Sequence, residues 1–106
     1  MDSQRIQTGS VQSSVTAKQL PHIRYEILTI FPTVRGSGDF NGFGSGGIWI
    51  GSSDAVTIPS GGGDSITDGF YLDEYLALVL NRPGNMDELW LIGTDASDYI
   101  TYLVQA

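Results

Sequence analysis

The side chains able to do chemistry are few and scattered. One histidine, His22, follows Pro21 at the head of an apolar stretch. A Ser-His-Asp relay on an α/β scaffold needs its serine on a Gly-x-Ser-x-Gly elbow between a strand and a helix. Gly44-Ser45-Gly46 lies inside a glycine-rich stretch instead, so His22 reads as a surface residue at a strand end. Two carboxylate pairs, Asp73-Glu74 and Asp87-Glu88, could share acid–base work only if both acids of a pair faced one substrate. Neighbours on a strand point to opposite faces, so both pairs read as solvated turn ends.

Metal and phosphate chemistry fare no better. Asp39-Phe-Asn-Gly-Phe-Gly44 places oxygen ligands at the first and third positions of a calcium loop. Phe43 and Ile50 then occupy the fifth and twelfth, where ligands are required, and the pattern fails. Asp39, Asp64 and Asp68 leave room for no more than a weak surface cation. The glycine loop lacks the lysine of a phosphate-binding loop. A single histidine without any cysteine gives zinc or iron too few ligands. No catalytic residue, metal or cofactor is expected, and the chain does not read as an enzyme.

Contact is the better use for what remains. Phe40 and Phe43 sit in the glycine loop, where aromatics either anchor a partner or fold back over the core. Trp49 and Trp90 stand among aliphatic residues; core packing is the default for both, with a sugar platform or an interface anchor as the alternative. Arg5 and Ile6, in a polar N-terminal segment, are placed to meet a neighbouring subunit. The expected partner interface therefore comprises Arg5, Ile6, Phe40, Phe43 and Trp49.

Composition bounds the rest. The 106 residues fit one domain, residues 1–106, large enough for a core without staples. No apolar run reaches the roughly 18–20 residues of a membrane span, and Met1–Ser10 lacks the apolar stretch of a secretory signal. The net charge of −7 is uneven: residues 1–35 hold four basic residues against two acids, residues 36–106 one against ten. So few cations argue against nucleic acid and anionic membranes as partners. The asymmetry also allows a basic N-terminal third to dock on an acidic neighbour, including another copy.

The elements that must position these residues are strands. Fourteen glycines and many β-branched residues leave little room for helices. Ile6–Val15 suits an edge strand or an extended arm, and residues 1–12 are expected as an arm that orders against a neighbour. In His22–Phe31, period-two spacing puts Ile23, Tyr25, Ile27 and Phe31 on the core face, with Leu28 and Ile30 on a second apolar face. Ile48–Ile50 is a short strand. In Phe70–Leu80, Leu72, Tyr75, Leu76 and Val79 suit a helix and Leu76, Leu78 and Leu80 a strand; a turn at Asp73-Glu74 feeding a strand over Tyr75–Leu80 is the favoured reading. Glu88–Gly93 and Tyr99–Val104 read as a terminal hairpin. Short strands between glycine-rich turns predict an all-β protein, a small antiparallel β-sandwich of jelly-roll-like or immunoglobulin-like type.

The layout of residues 47–106 resembles small β-sandwich structural proteins of tailed-bacteriophage virions. The resemblance rests on Ile48-Trp-Ile-Gly51, Tyr71-Leu-Asp-Glu74, Leu76-Ala-Leu-Val79, Met86–Gly93 and Tyr99–Val104. The glycine loop at 36–47 and the Asn81–Asn85 insertion depart from it. It implies a capsid decoration or cement protein, or a head-fibre base, on the virion surface, often trimeric, whose partner is the major capsid protein or another virion subunit. A glycan-binding module or tail adhesin is the competing expectation.

Overall fold

The two ends of the chain alternate small polar with apolar residues, a pattern that buries one face of a strand and leaves the other open. In the computed structural model, which describes residues 5–33, 47–57, 69–72, 76–94 and 97–106, those ends pair with each other. Strand β1 (Ile6–Gln12) runs antiparallel to β10 (Tyr99–Gln105), with Ile6 opposite Gln105 and Gln12 opposite Tyr99. The other side of β10 carries β4 (Ile27–Thr33), and β7 (Leu78–Leu80) closes this sheet in the order β1-β10-β4-β7. A second sheet has the order β2 (Lys18–Gln19), β9 (Trp90–Gly93), β5 (Ile48–Gly51), β6 (Gly69–Leu72). Two short strands, β3 (Arg24–Tyr25) and β8 (Gly84–Asn85), form a ribbon between them.

The protein is therefore an antiparallel β-sandwich. The only helical turn among the described residues is a 3-10 turn at Met86–Glu88. Leu28, Ile30, Ile100 and Val104 of the first sheet meet Ile48, Ile50, Leu72 and Leu91 of the second in one core. Taking β3 with β4 and β8 with β9 as single bent strands leaves eight, which switch sheets at every connection except β5–β6. That is the strand order of a jelly roll. An immunoglobulin sandwich keeps its first two strands in one sheet, whereas β1 and β2 lie in different ones.

The bend before β4 decides which residues face the core. Glu26 N–H donates to the Gln105 carbonyl at 2.8 Å, while the ladder places Ile27 opposite the same Gln105. Two residues thus oppose one, which is a β-bulge, and it switches the inward parity. Tyr25 is buried before it; Leu28, Ile30 and Pro32 are buried after it. Of the expected core face, Tyr25 is in the core, whereas Ile27 and Phe31 are corrected to the outer side, Phe31 being 43% exposed. Pro32 breaks no ladder: its missing N–H faces the β7 side, where pairing stops at Ile30 opposite Leu78.

Three further expectations change. Residues 6–12 are an edge strand paired along their whole length with their own C-terminus, not a free arm. The terminal hairpin does not form, because β9 and β10 belong to opposite sheets. Leu91, Ile92 and Gly93 are all buried, so β9 needs neighbours and cover on both sides, which a central place between β2 and β5 supplies. The strand expected over residues 75–80 begins only at Leu78, with Leu76 and Ala77 exposed before it.

Glycine makes room for tyrosine at two cross-strand sites. Gly9 lies opposite Tyr102 and Gly84 opposite Tyr25, and a β-carbon on either glycine would overlap the facing ring. Burial raises the Tyr25 phenol above its ordinary pKa, the Glu88 carboxylate raises it further, and Arg82 acts in the opposite sense.

Two outcomes check this account. Leu28→Ala should cost about 2–5 kcal/mol in urea unfolding, and Phe31→Ala less than about 1 kcal/mol; the reverse order would remove the bulge from the account. Unfolded tyrosine ionises near pH 10 while folded Tyr25 keeps its proton longer, so its contribution is intact below about pH 10 and lost as pH rises further. Stability should then decline less steeply between about pH 9.5 and 11 in Tyr25→Phe than in the wild type.

Candidate partner interface

Several ionisable side chains of the described residues serve local structure. His22 Nδ1 and Asp87 Oδ2 lie 2.7 Å apart, with the His22 side chain 81% exposed. Such an exposed pair contributes at most about 1 kcal/mol. Glu88 Oε1 accepts the Asn85 N–H at 2.9 Å and Asn85 Oδ1 accepts the Asp87 N–H at 3.2 Å, together capping the 3-10 turn. Asp87 and Glu88 thus have separate structural partners. Among the described residues no three His, Asp or Glu side chains gather into a metal-sized cluster. Asp39, Asp64, Asp68, Asp73 and Glu74 lie outside the described residues.

The expected contact residues separate. Arg5 exchanges backbone hydrogen bonds with Ala106, and its guanidinium Nη2 donates to the Arg24 carbonyl at 2.8 Å, so it folds back on its own chain. Ile6 is exposed at the end of β1. Phe40 and Phe43 lie outside the described residues. Trp49 is corrected from the interface list: at 1% exposure it packs with Val56 and Ile92 in a small second core, its ring 5.2 Å from that of Tyr71. The default reading of this tryptophan holds, and its ring offers no platform. Trp90 is half-buried against the same cluster.

The two sheets are therefore finished differently. The outer side of the β2-β9-β5-β6 sheet is covered where Val56 closes over Trp49 and Ile92. Among the described residues nothing covers the outer side of the β1-β10-β4-β7 sheet. Register aligns Thr8, Leu103, Thr29 and Val79 in one row across it. Ser10, Thr101 and Phe31 form the next row. Ile6, Gln105 and Ile27 flank on one side; Gln12, Tyr99 and Thr33 flank on the other. Among the described residues these rows carry no charge, and the exposed Glu26, beside Ile27 at the bulge, is the charged residue at their corner, in a chain of net charge −7. Four strands of up to seven residues give it a footprint of about 19 by 23 Å.

A shallow apolar cleft adjoins it. The edge strands β6 and β7 leave a cavity of about 170 Å³ lined by Phe70, Tyr71, Leu72, Leu76, Ala77 and Leu78. Phe70 and Leu76 are more than 60% exposed at its rim. This volume falls below the roughly 300 Å³ at which small-molecule sites begin. It suits one or two inserted side chains.

Sequence reasoning missed this surface because it sent Phe31 and Ile27 inward. A usable signal exists: Leu28, Ile30 and Pro32 alternate with Ile27, Thr29, Phe31 and Thr33, a threonine-rich partner pattern repeated in Thr8–Ser10 and Thr101. Without the bulge the choice of inner set was ambiguous. Compared with known proteins, the sequence matches no family, no curated protein and no solved structure.

Proposed function

We propose that this protein is a virion structural subunit, a capsid decoration or cement protein that docks on shell subunits and stabilises their contacts without catalysis. One observation carries the reading: on a strongly acidic chain, a sheet face that no described residue covers and whose strand rows carry charge only at the Glu26 corner. Charged groups keep surfaces apart unless they are paired, and buried interface cores are depleted of them. A face rich in Thr, with Ile27, Phe31, Val79 and Leu103 among them, can be dried at little desolvation cost. The layout resemblance and the jelly-roll order support the same reading, since this architecture recurs in capsid proteins. Jelly rolls also serve lectins, so the fold alone does not decide between shell and sugar. The buried Trp49 weighs against sugar, because it removes the best stacking platform.

The test mixes the purified protein with shells of the virus that encodes it and, separately, with a saccharide panel. Docking should saturate at a fixed number of symmetry-related sites. Thr101→Glu, an exposed charge at the centre of the face, should weaken docking at least tenfold while leaving the unfolding midpoint unchanged. Undiminished docking by Thr101→Glu, or micromolar saccharide binding without shell occupancy, would overturn the proposal.

A further inference from the structure

The β1 edge of the open sheet is unfinished in a way the other edges are not. Edge strands invite pairing and are ordinarily blunted by shortness, charge, proline or bulges. β2, β6 and β7 are two, four and three residues long. β1 has seven residues, Ile-Gln-Thr-Gly-Ser-Val-Gln, with neither charge nor proline.

Its hydrogen-bond parity can be read off. Arg5 and Ala106 exchange both backbone bonds, at 2.7 and 2.9 Å, and the Ser13 N–H donates to the Asp98 carbonyl at 2.8 Å. In an antiparallel ladder, bonded pairs alternate with non-bonded ones. Gln7, Gly9 and Val11 therefore bond inward to β10, and the N–H and C=O groups of Ile6, Thr8 and Ser10 point away from the sheet. Among the described residues no strand pairs along that side. At one end the Lys18 ammonium donates to the Gln12 carbonyl at 3.1 Å and closes the edge there.

We infer that a second copy of this chain pairs antiparallel along β1, Thr8 opposite Thr8, joining two four-stranded sheets into one of eight strands. The occupant follows from self-complementarity. A two-fold axis at Thr8 places Ile6 opposite Ser10 of the other copy and uses all three outward-facing residues in reciprocal bonded pairs. The alternative register centred on Gly9 would pair Ile6 with Gln12, whose carbonyl already accepts from the Lys18 ammonium and would have to accept a second bond there. No like charges meet along β1, whereas most other surfaces of a −7 chain would repel a copy. An isologous contact closes at two copies, in place of the trimer the layout resemblance implies.

Pairing also brings the two open faces side by side on one continuous sheet. Each supplies about 440 Å² of flat footprint, roughly half of a standard interface patch, and the pair supplies about 900 Å². This consequence rests on the proposed docking function; the pairing itself does not.

The experiment uses the full chain alone, without shells. Sedimentation should show a species of twice 11.4 kDa that dissociates on dilution. Amide exchange should show inward amides of Gln7, Gly9 and Val11 protected at all concentrations, and those of Thr8 and Ser10 gaining protection as concentration rises. Thr8→Pro removes only an outward N–H, so the ladder to β10 survives while dimer affinity falls at least tenfold; Ser10→Pro should behave alike. Thr101→Glu, on the face rather than the edge, should dimerise as the wild type does. A wild type that stays monomeric to about 1 mM, a higher oligomer whose Thr8 amide exchanges freely, or a Thr8→Pro variant that dimerises undiminished would each overturn the inference.

Discussion

Everything in this structure hangs on β10. It pairs over seven residues with β1 on one side and with β4 on the other, so both ends of the chain and the start of the Glu26 bulge are tied to one strand. The pairing joins residues some ninety positions apart, so it is entropically expensive to reach and must be backed by burial. Ile100, Tyr102 and Val104 supply that backing from the inner face, where they meet the second sheet. Among the described residues nothing covers the outer residues of the same strand. One strand thus creates both the core and the exposed face.

The contrast between the sheets follows from what lies over each. The β5 strand is buried on both sides: Ile48 and Ile50 face the main core, while Trp49 is sealed by Val56 and its neighbours. The β1-β10-β4-β7 sheet receives no such cover among the described residues, and apart from Glu26 at the bulge its outer residues are Thr, Gln, Ser, Phe31, Tyr99 and a few aliphatics. Monomeric sandwiches ordinarily solvate an outer face with charge. An acidic chain that keeps charge off most of one face and leaves the longest edge among its described strands unblunted fits the neighbours proposed for both.

Much of the architecture was legible in the sequence, for definite reasons. The scarcity of helix formers and the glycine-spaced apolar runs pointed to an antiparallel sandwich, and the default core reading of Trp49 needed only its aliphatic neighbours. What was not legible depended on single-residue or long-range events. The Glu26 bulge inverts the faces of β4, and nothing local marks it, since Ile27-x-x-x-Phe31 and Leu28-x-Ile30 are equally apolar. The separation of β9 from β10 is set by which sheet each completes, which a short turn between them does not reveal. The N-terminal segment looked like an arm because its inward residues are only Gln7, Gly9 and Val11. Its partner strand, not its own hydrophobicity, holds it in place.

The central claim, that the charge-poor outer face is the docking surface, is tested most directly by side-chain oxidation footprinting of the protein free and seated on its shell. The account predicts that Phe31, Tyr99 and Leu103 lose reactivity on docking, while half-buried Trp90, on the covered sheet, is unchanged. Protection at Trp90 with Phe31, Tyr99 and Leu103 still reactive would contradict it.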